Sequence, residues 1–210
     1  MNILVLVSGN GSNLQALIDA ERAGVFSARN ANGDPEDRIA AVVSDRPGVY
    51  ALERAKAAGI PAFVEEPQAR LPKPERRKEL SGRVLGIARK HRADLIILAG
   101  FLSILQGEIL REYEGRIINL HPALLPKYGG GGMYGSRVHQ AVLAAGERES
   151  GCTVHWVDEG TDTGPRLLRR KVPVLPGDTA ETLAERVHRE EHLAIVEGAV
   201  LALKKIRETN

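Results

Sequence analysis

Short runs of aliphatic and β-branched residues alternate along the chain with longer segments of helical periodicity. This alternation is typical of βαβ units, in which parallel strands are joined by helices. The run Leu95–Ala99 is almost entirely apolar, as expected for a central strand covered on both faces. Strands are predicted over Ile3–Val7, Ile39–Ser44, Ile60–Val64, Leu95–Ala99 and Arg116–Leu120.

Helices are predicted between these strands. Apolar residues recur there at spacings of three and four, which places them on one helix face. A polar segment, Ala28–Arg38, is predicted to be a surface loop, and Pro67–Pro74 to be a connector. The predicted helices cover Asn13–Arg22, Val49–Ala58, a long segment that aligns Leu80, Val84, Ile87 and Ala88, and Arg137–Ala145.

The last third of the chain has a different pattern. Cys152–Val157 alternates with period two and Leu167–Val174 is a matching run, which predicts an antiparallel strand pair. A final helix is predicted from Asp178, with Glu181 as its capping partner. We therefore predict one α/β domain over residues 1–210: an open, mostly parallel, twisted, Rossmann-like sheet with helices on both faces and a late antiparallel pair.

Composition narrows the class of protein. The 210 residues include 29 Lys and Arg against 27 Asp and Glu, a net charge of +2 that predicts no broad basic face for nucleic acid. No segment reaches the ~18 apolar residues of a membrane span. The single cysteine, Cys152, excludes internal disulfides and cysteine-cluster zinc sites. We expect a cytoplasmic protein with no nucleic-acid or membrane partner.

A glycine-rich turn, Ser8–Asn13, follows the first predicted strand. Its backbone N–H groups at a helix N-terminus, with the Ser12 and Asn13 side chains, suit a phosphate. The turn lacks the third glycine of the dinucleotide fingerprint and the lysine of a P-loop. Asp45, which follows the second strand, could still act as a ribose-binding acid. A tight turn that only caps the helix remains an alternative.

Asn119 and His121 lie two residues apart on a predicted strand and therefore share a face. Pro122 ends that strand at its carboxyl end, where open α/β sheets bind ligands. An amide can donate to an oxyanion, and an imidazole can exchange a proton near neutral pH, so the pair suits acyl transfer. Asp162, in a turn between the late strands, either orients His121 or is simply solvated.

Four ordered motifs carry a family resemblance: Ser8–Asn13, Ala99–Leu105, Asn119–Tyr128 and Asp162–Pro165. Together they resemble the phosphoribosylglycinamide formyltransferase family over nearly the whole chain. The resemblance implies a formyltransferase fold and formyl transfer from 10-formyltetrahydrofolate to the amine of glycinamide ribonucleotide in purine synthesis. It implies no metal, and a monomer or homodimer.

The resemblance also assigns residues. Gly11, Ser12 and Asn13 would hold the ribose phosphate. Asn119 and His121 would stabilise the tetrahedral intermediate, with Asp162 orienting His121 and assisting proton transfer. The folate pocket would be lined by Phe101, Leu102, Ser103, Ile104, Leu105, Leu110, Ile117 and the loop Asp158–Asp162, including Asp158 and Asp162 themselves.

The last predicted helix contains a polar interruption. Glu191 breaks its apolar line, and a carboxylate in that position needs a partner. The resemblance makes Glu191 a substrate-binding residue and matches His188 to a substrate-contacting position. From the residues alone, Glu191 could instead pair with a buried arginine. His155, mid-strand, fits either a site near the reaction centre or a hydrogen-bonded core.

Two departures from the family pattern stand out. Ser103 occupies a position where many members have arginine, which puts any polar contact of that residue to folate in doubt. The segment Gly129–Ser136 is longer and richer in glycine than in compact members. It suits a mobile flap over the substrate, or a linker without a function.

Three other functions compete with this hypothesis. A related formyl enzyme could hydrolyse formyltetrahydrofolate or use an aminoacyl-tRNA or amino-sugar acceptor, but those relatives do not need the small phosphate cradle of Ser8–Asn13. A length of 210 residues also disfavours relatives that carry added domains. An NAD-dependent oxidoreductase would use Asp45. A non-catalytic nucleotide-binding module would have no need for Asn119, His121 and Asp162 together.

Overall fold

Seven strands form one sheet in the part of the chain that the structure describes. The computed structural model describes residues 1–26 and 37–209, so the predicted loop Ala28–Arg38 lies outside the described residues except at its last two positions. The strands are β1 (Asn2–Val7), β2 (Arg38–Ser44), β3 (Ala62–Val64), β4 (Leu95–Leu98), β5 (Ile117–His121), β6 (Glu149–Trp156) and β7 (Arg166–Pro173).

Six helices accompany these strands in the described part of the chain. The strand order in the sheet is β3-β2-β1-β4-β5-β6-β7. Neighbouring strands among β1 to β5 pair in parallel, and β6 pairs antiparallel with both β5 and β7. The predicted mostly parallel sheet with a late antiparallel pair is therefore confirmed. The helices are α1 (Ser12–Arg22), α2 (Tyr50–Ala57), α3 (Lys73–Lys90), α4 (Glu108–Glu112), α5 (Ser136–Ala144) and α6 (Ala180–Thr209).

The core has one layer on each face of the sheet. Residues of α1, α2, α5 and α6 pack on one face, where the fully buried Cys152 also lies, and residues of α3 and α4 pack on the other. Strands β1 and β4 are buried on both faces, which explains their continuous apolar sequences. Helices on both faces are as predicted. Among the described residues no helix is long and apolar enough to cross a membrane.

Two local features differ from the prediction. The short helix α4 was not predicted, because five residues give too little periodicity to detect. The predicted capping pair of Asp178 and Glu181 is wrong. Thr179 and Thr182 exchange backbone-to-hydroxyl hydrogen bonds at 3.0 and 3.3 Å, so the helix begins at Ala180. Asp178 instead accepts a hydrogen bond from the Leu175 amide.

Candidate active site

A cavity of about 1060 Å³ opens beside the carboxyl ends of β4 and β5. Its walls come from β5, the segment after β4, the glycine-rich segment before α5, the loop between β6 and β7, and α6. Ligands of open α/β sheets bind at this edge because the connections after parallel strands leave a crevice there. Of the segment Gly129–Ser136, predicted as a flap or a linker, residues 130–136 form part of the wall.

Asn119 lies on β5 directly opposite His155 of β6. The His155 Nδ1 is 2.8 Å from the Trp156 carbonyl oxygen and donates to it. In neutral His155 the Nε2 then accepts from the Asn119 amide nitrogen at 3.1 Å. The same nitrogen donates to Asp162 Oδ1 at 3.3 Å. His155 therefore fixes the side-chain amide with its N–H groups at the cavity wall.

Asp162 is held at the tip of the loop between β6 and β7. Its φ is 59°, a left-handed conformation that aspartate tolerates better than most residues. Its Oδ2 accepts from the Gly130 amide at 2.9 Å and lies 3.4 Å from His121 Nδ1. Burial raises the pKa of Asp162, but the His155 ring, whose Nε2 lies 3.5 Å from Oδ1, the His121 charge and the Gly130 amide together bring that pKa below its ordinary value. Asp162 is thus an ionised carboxylate at neutral pH.

His121 is buried with an acceptor at each ring nitrogen. Its Nε2 is 2.8 Å from the Tyr128 carbonyl oxygen, and its Nδ1 faces the Asp162 carboxylate. Only the imidazolium can donate to both acceptors, so the geometry suits a protonated ring. An amide donor, a proton-carrying imidazole and an ionised carboxylate therefore meet at one wall of the cavity.

The predicted folate wall lies mostly on this cavity. Phe101, Leu102, Ser103, Ile104, Leu105, Asp158 and Asp162 line it, whereas Leu110 and Ile117 lie behind it in the buried core. The Leu102 amide donates to Ser8 Oγ at 2.8 Å, which ties this wall to the first turn. Ser103 donates to the buried Asp45 at 2.6 Å, so the acid considered for a dinucleotide enzyme is already engaged.

The glycine-rich turn leads into α1, which begins at Ser12. Gly11 has a φ of 77°, and a Cβ there would lie 2.6 Å from the Cβ of Ala51 in α2. Glycine is therefore required by backbone conformation and by packing, independently of any ligand. Asn13 lines the cavity, while Gly11 lies against α2.

Ser12 is linked to the last helix by a chain of hydrogen bonds. Its Oγ is 2.9 Å from His188 Nε2, and His188 Nδ1 is 2.7 Å from Glu191 Oε2. We call these three residues the cradle relay. Glu191 is 9% exposed, and its partner is His188 instead of the buried arginine considered from the sequence. The Glu191 hydrogen bond raises the pKa of His188 and outweighs the opposing effect of burial.

Sequence reasoning missed the contribution of the segment after β5. The Tyr128 carbonyl and the Gly130 amide hold His121 and Asp162 respectively. A Cβ on Gly129 would lie 2.5 Å from Leu125 Cδ2 and 3.2 Å from Asp162 Cβ, so this close approach needs glycine. The run of glycines was the available signal. His139 of α5 also lines the cavity, and nothing in the sequence around it indicated this position. Burial lowers the pKa of His139.

The chain is similar in sequence to proteins of known function. The formyl transferase family model matches residues 1–199. The chain is 44% identical over 192 residues to the trifunctional purine biosynthetic protein adenosine-3 of Drosophila melanogaster, covering 91% of this chain and 13% of that protein. It is 37% identical over 192 residues to the phosphoribosylglycinamide formyltransferase of Escherichia coli K12, covering 91% of this chain and 82% of that enzyme.

The fold of the chain is also similar to those of solved structures. Glycinamide ribonucleotide transformylase 1 of Symbiobacterium toebii superposes with a TM-score of 0.83 at 37% identity, covering 98% of this chain and 88% of that one. A formyltetrahydrofolate deformylase of Pseudomonas syringae, at 22% identity and a TM-score of 0.81, shares the fold. The chain spans only 13% of the Drosophila protein. Because the family model matches residues 1–199, nearly the whole chain, this chain belongs to the formyl transferase family.

Proposed function

We propose that this chain transfers a formyl group from 10-formyltetrahydrofolate to the amine of glycinamide ribonucleotide, a step of purine biosynthesis. The observation that carries the proposal is the juxtaposition of Asn119, His121 and Asp162 at the cavity wall. Asp162 Oδ1 lies 3.3 Å from the Asn119 amide nitrogen, and Asp162 Oδ2 lies 3.4 Å from His121 Nδ1. An oxyanion donor and a proton carrier this close suit nucleophilic attack on a formyl carbon.

The three side chains divide the work of the reaction. The amine forms a bond to the formyl carbon, and the bond from that carbon to the folate nitrogen breaks. The Asn119 N–H that contacts Asp162 Oδ1 at 3.3 Å turns instead to the oxyanion that develops, and protonated His121 adds a positive charge beside it. The amine loses one proton and the folate nitrogen gains one. Asp162 provides the counter-charge for His121 and takes up the amine proton through a water molecule, and this proton is then passed to the folate nitrogen as it leaves.

The remaining cavity residues suit two small substrates. The apolar wall of Phe101, Leu102 and Leu105 offers a surface for a flat ring system, and a cavity of about 1060 Å³ is large for a single small ligand. The N-terminus of α1, with Ser12 and Asn13, offers N–H groups and a positive dipole end for the ribose phosphate. Glu191 and His188 stand beside that end on α6.

One assay tests the proposal. The protein is mixed with glycinamide ribonucleotide and 10-formyltetrahydrofolate, and folate absorbance is followed. We expect a change that requires the ribonucleotide. Formate release without the amine would select a hydrolase, which could use the same cluster to activate water. No ribonucleotide-dependent change would refute the transferase.

The variant His121→Ala tests the chemistry within that assay. We expect turnover to fall by about two to three orders of magnitude, the usual cost of removing one group that stabilises the oxyanion, while the ribonucleotide still binds. Near-normal turnover would remove His121 from the mechanism. A cytoplasmic location, the absence of a nucleic-acid partner and a monomeric or homodimeric state stay predictions.

A further inference from the structure

The hydrogen positions in the cradle relay follow from its geometry. A carboxylate can only accept, so the 2.7 Å contact of Glu191 Oε2 with His188 Nδ1 requires a proton on Nδ1. The other ring nitrogen, Nε2, is 2.9 Å from Ser12 Oγ. Whether Nε2 carries a proton therefore decides which way the Ser12 hydroxyl points.

The two protonation states of His188 present Ser12 differently. When His188 is neutral, Nε2 has a lone pair and the Ser12 hydroxyl donates to it, leaving only oxygen lone pairs for a ligand. When His188 is protonated, Nε2–H donates to Ser12 Oγ, and the hydroxyl hydrogen is free to donate elsewhere. An anion at the N-terminus of α1 gains a hydrogen bond only in the second state.

We propose that His188 is a positioning residue that couples proton binding to phosphate binding at this cradle, so that the site takes a dianionic phosphate monoester together with one proton. This rests on the proposed function, since it concerns the same ribose phosphate. By linkage, a phosphate that favours protonated His188 must strengthen proton binding at His188 equally. The raised pKa of His188 is in the direction that this coupling needs.

The groups around His188 are consistent with a cation at this position. On α6, Glu191 pairs with it and the His192 ring packs edge-on with centroids 4.4 Å apart. Burial, followed by the His188 charge, lowers the pKa of His192, so His192 stays neutral. From α2, Arg54 is bound to Asn10 and Gln15.

Two other titratable groups approach this end of the cavity. Glu185, one turn earlier on α6, lines the same wall, and so does His139 of α5, which interacts with the Glu191 charge. The positive charge of protonated His188 balances the negative charge of Glu191, so a phosphate bound at Ser12 experiences little repulsion from the Glu191 carboxylate. Without that proton, a phosphate dianion would meet an uncompensated carboxylate.

Calorimetric titration with ribose 5-phosphate tests the coupling. Measurements run from pH 7 to 9, where the phosphate is already almost wholly dianionic because its second pKa is about 6. Titration in two buffers of different ionisation enthalpy gives the number of protons taken up. The wild-type protein is expected to take up protons on binding, and its affinity is expected to fall by about tenfold across this range, the effect of one charged hydrogen bond.

Three variants separate coupling from packing. His188→Lys keeps a permanent donor and is expected to bind with little pH dependence. His188→Gln keeps a neutral side chain at the position and is expected to show neither proton uptake nor the pH-dependent loss of affinity. His91→Gln, which removes a histidine at the far end of α3, is expected to behave like the wild type.

The outcomes distinguish this inference from the proposed function. If the wild type binds ribose 5-phosphate without proton uptake, or if His188→Gln retains the same pH profile, the coupling is overturned while the cradle stands. If ribose 5-phosphate does not bind the wild type at millimolar concentration, the cradle and the coupling both fall. Formyl transfer would then have to be assessed separately by the absorbance assay.

Discussion

The cavity contains two histidine–carboxylate pairs that are built in different ways. His121 and Asp162 come from a strand and a distant loop, and their side chains are only 4% and 10% exposed. His188 and Glu191 are three residues apart on one helix, and the His188 side chain is 44% exposed. The first pair is assembled by the tertiary fold, whereas the second needs only a helical turn.

This difference in construction predicts a difference in behaviour. Asp162 also accepts from Asn119 and from the Gly130 amide, so its carboxylate is fixed by several donors in a buried environment. Such preorganisation suits charge stabilisation during a reaction. Glu191 pairs with His188, whose other ring nitrogen contacts Ser12 and whose side chain is partly open to solvent. Because its histidine is open to solvent, we call this the exposed pair; such a pair responds to pH and to ligands, which suits a binding site.

The largest effect is expected from breaking the buried pair with Asp162→Asn. The new side-chain amide would point its N–H groups at one of the donors that now contact the Asp162 carboxylate, namely Asn119, the Gly130 amide or His121. In addition, His121 would lose its counter-charge. We expect kcat to fall by about 10³–10⁴, as for other acid partners of catalytic histidines. The measurement is steady-state turnover in the absorbance assay.

Glu159→Gln is the matched control for that variant. Glu159 is an exposed carboxylate in the same loop, so its loss removes one charge without touching the cluster. We expect near-wild-type turnover. Equal losses in both variants would mean that loop charge, and not the Asp162 contacts, matters for the reaction.

A smaller loss is expected from Asn119→Ala. This change removes the amide donor that His155 orients but leaves the His121–Asp162 pair in place. Removal of one oxyanion donor costs about 10²–10³ in kcat. His155→Gln should cost less, because it only frees the amide to rotate. A larger loss in His155→Gln than in Asn119→Ala would contradict this order.

Much of the fold could be predicted because its signals are local. The apolar runs at Ile3–Val7 and Leu95–Ala99 are buried strands, and the period-two pattern after Cys152 is the antiparallel strand β6. Helix α4 and the exact start of α6 could not be predicted. The first has too few residues for a period, and the second depends on which of two adjacent polar residues, Asp178 or Thr179, caps the helix.

Less of the site could be predicted from residues alone. Spacing on β5 places Asn119 and His121 on one face, but only strand order brings His155 opposite Asn119. The contact of Asp162 with His121 depends on a long loop whose path no sequence pattern specifies. Likewise, the polar break at Glu191 predicts a partner, but the sequence does not choose between a buried arginine and His188, which is the partner found. The contact of His188 with Ser12 depends on the packing of α1 against α6.

The exposed pair can be examined separately with Glu191→Gln. Without the carboxylate, the pKa of His188 should fall toward its ordinary value, because the Glu191 hydrogen bond is the main cause of its increase. At pH 8 less His188 is then protonated, and KM for glycinamide ribonucleotide should rise by about tenfold. Glu190→Gln, whose carboxylate pairs with Arg170, is the control. A loss confined to kcat would contradict a binding role.

The smallest expected effect is on stability. The pKa values of His188 and His192 shift in opposite directions, so their contributions to stability depend on pH with opposite signs. The pKa of His188 is raised on folding, so its contribution to stability is complete below about pH 6.5, the ordinary pKa, and is lost as pH rises through the higher folded value. The pKa of His192 is lowered, so that residue instead costs stability as pH falls below about 6.5. Thermal unfolding of His188→Gln and His192→Gln measures both.

We expect Tm to change by about 1–3 °C in each variant, since both rings are partly exposed. His188→Gln should be less stable than the wild type at pH 6, with the difference closing as pH rises. His192→Gln should gain relative to the wild type on acidification. A deficit in His188→Gln that stays the same at every pH would mean that the exposed pair stabilises the fold by packing and not by charge, and the contrast with the buried pair would then lose its electrostatic basis.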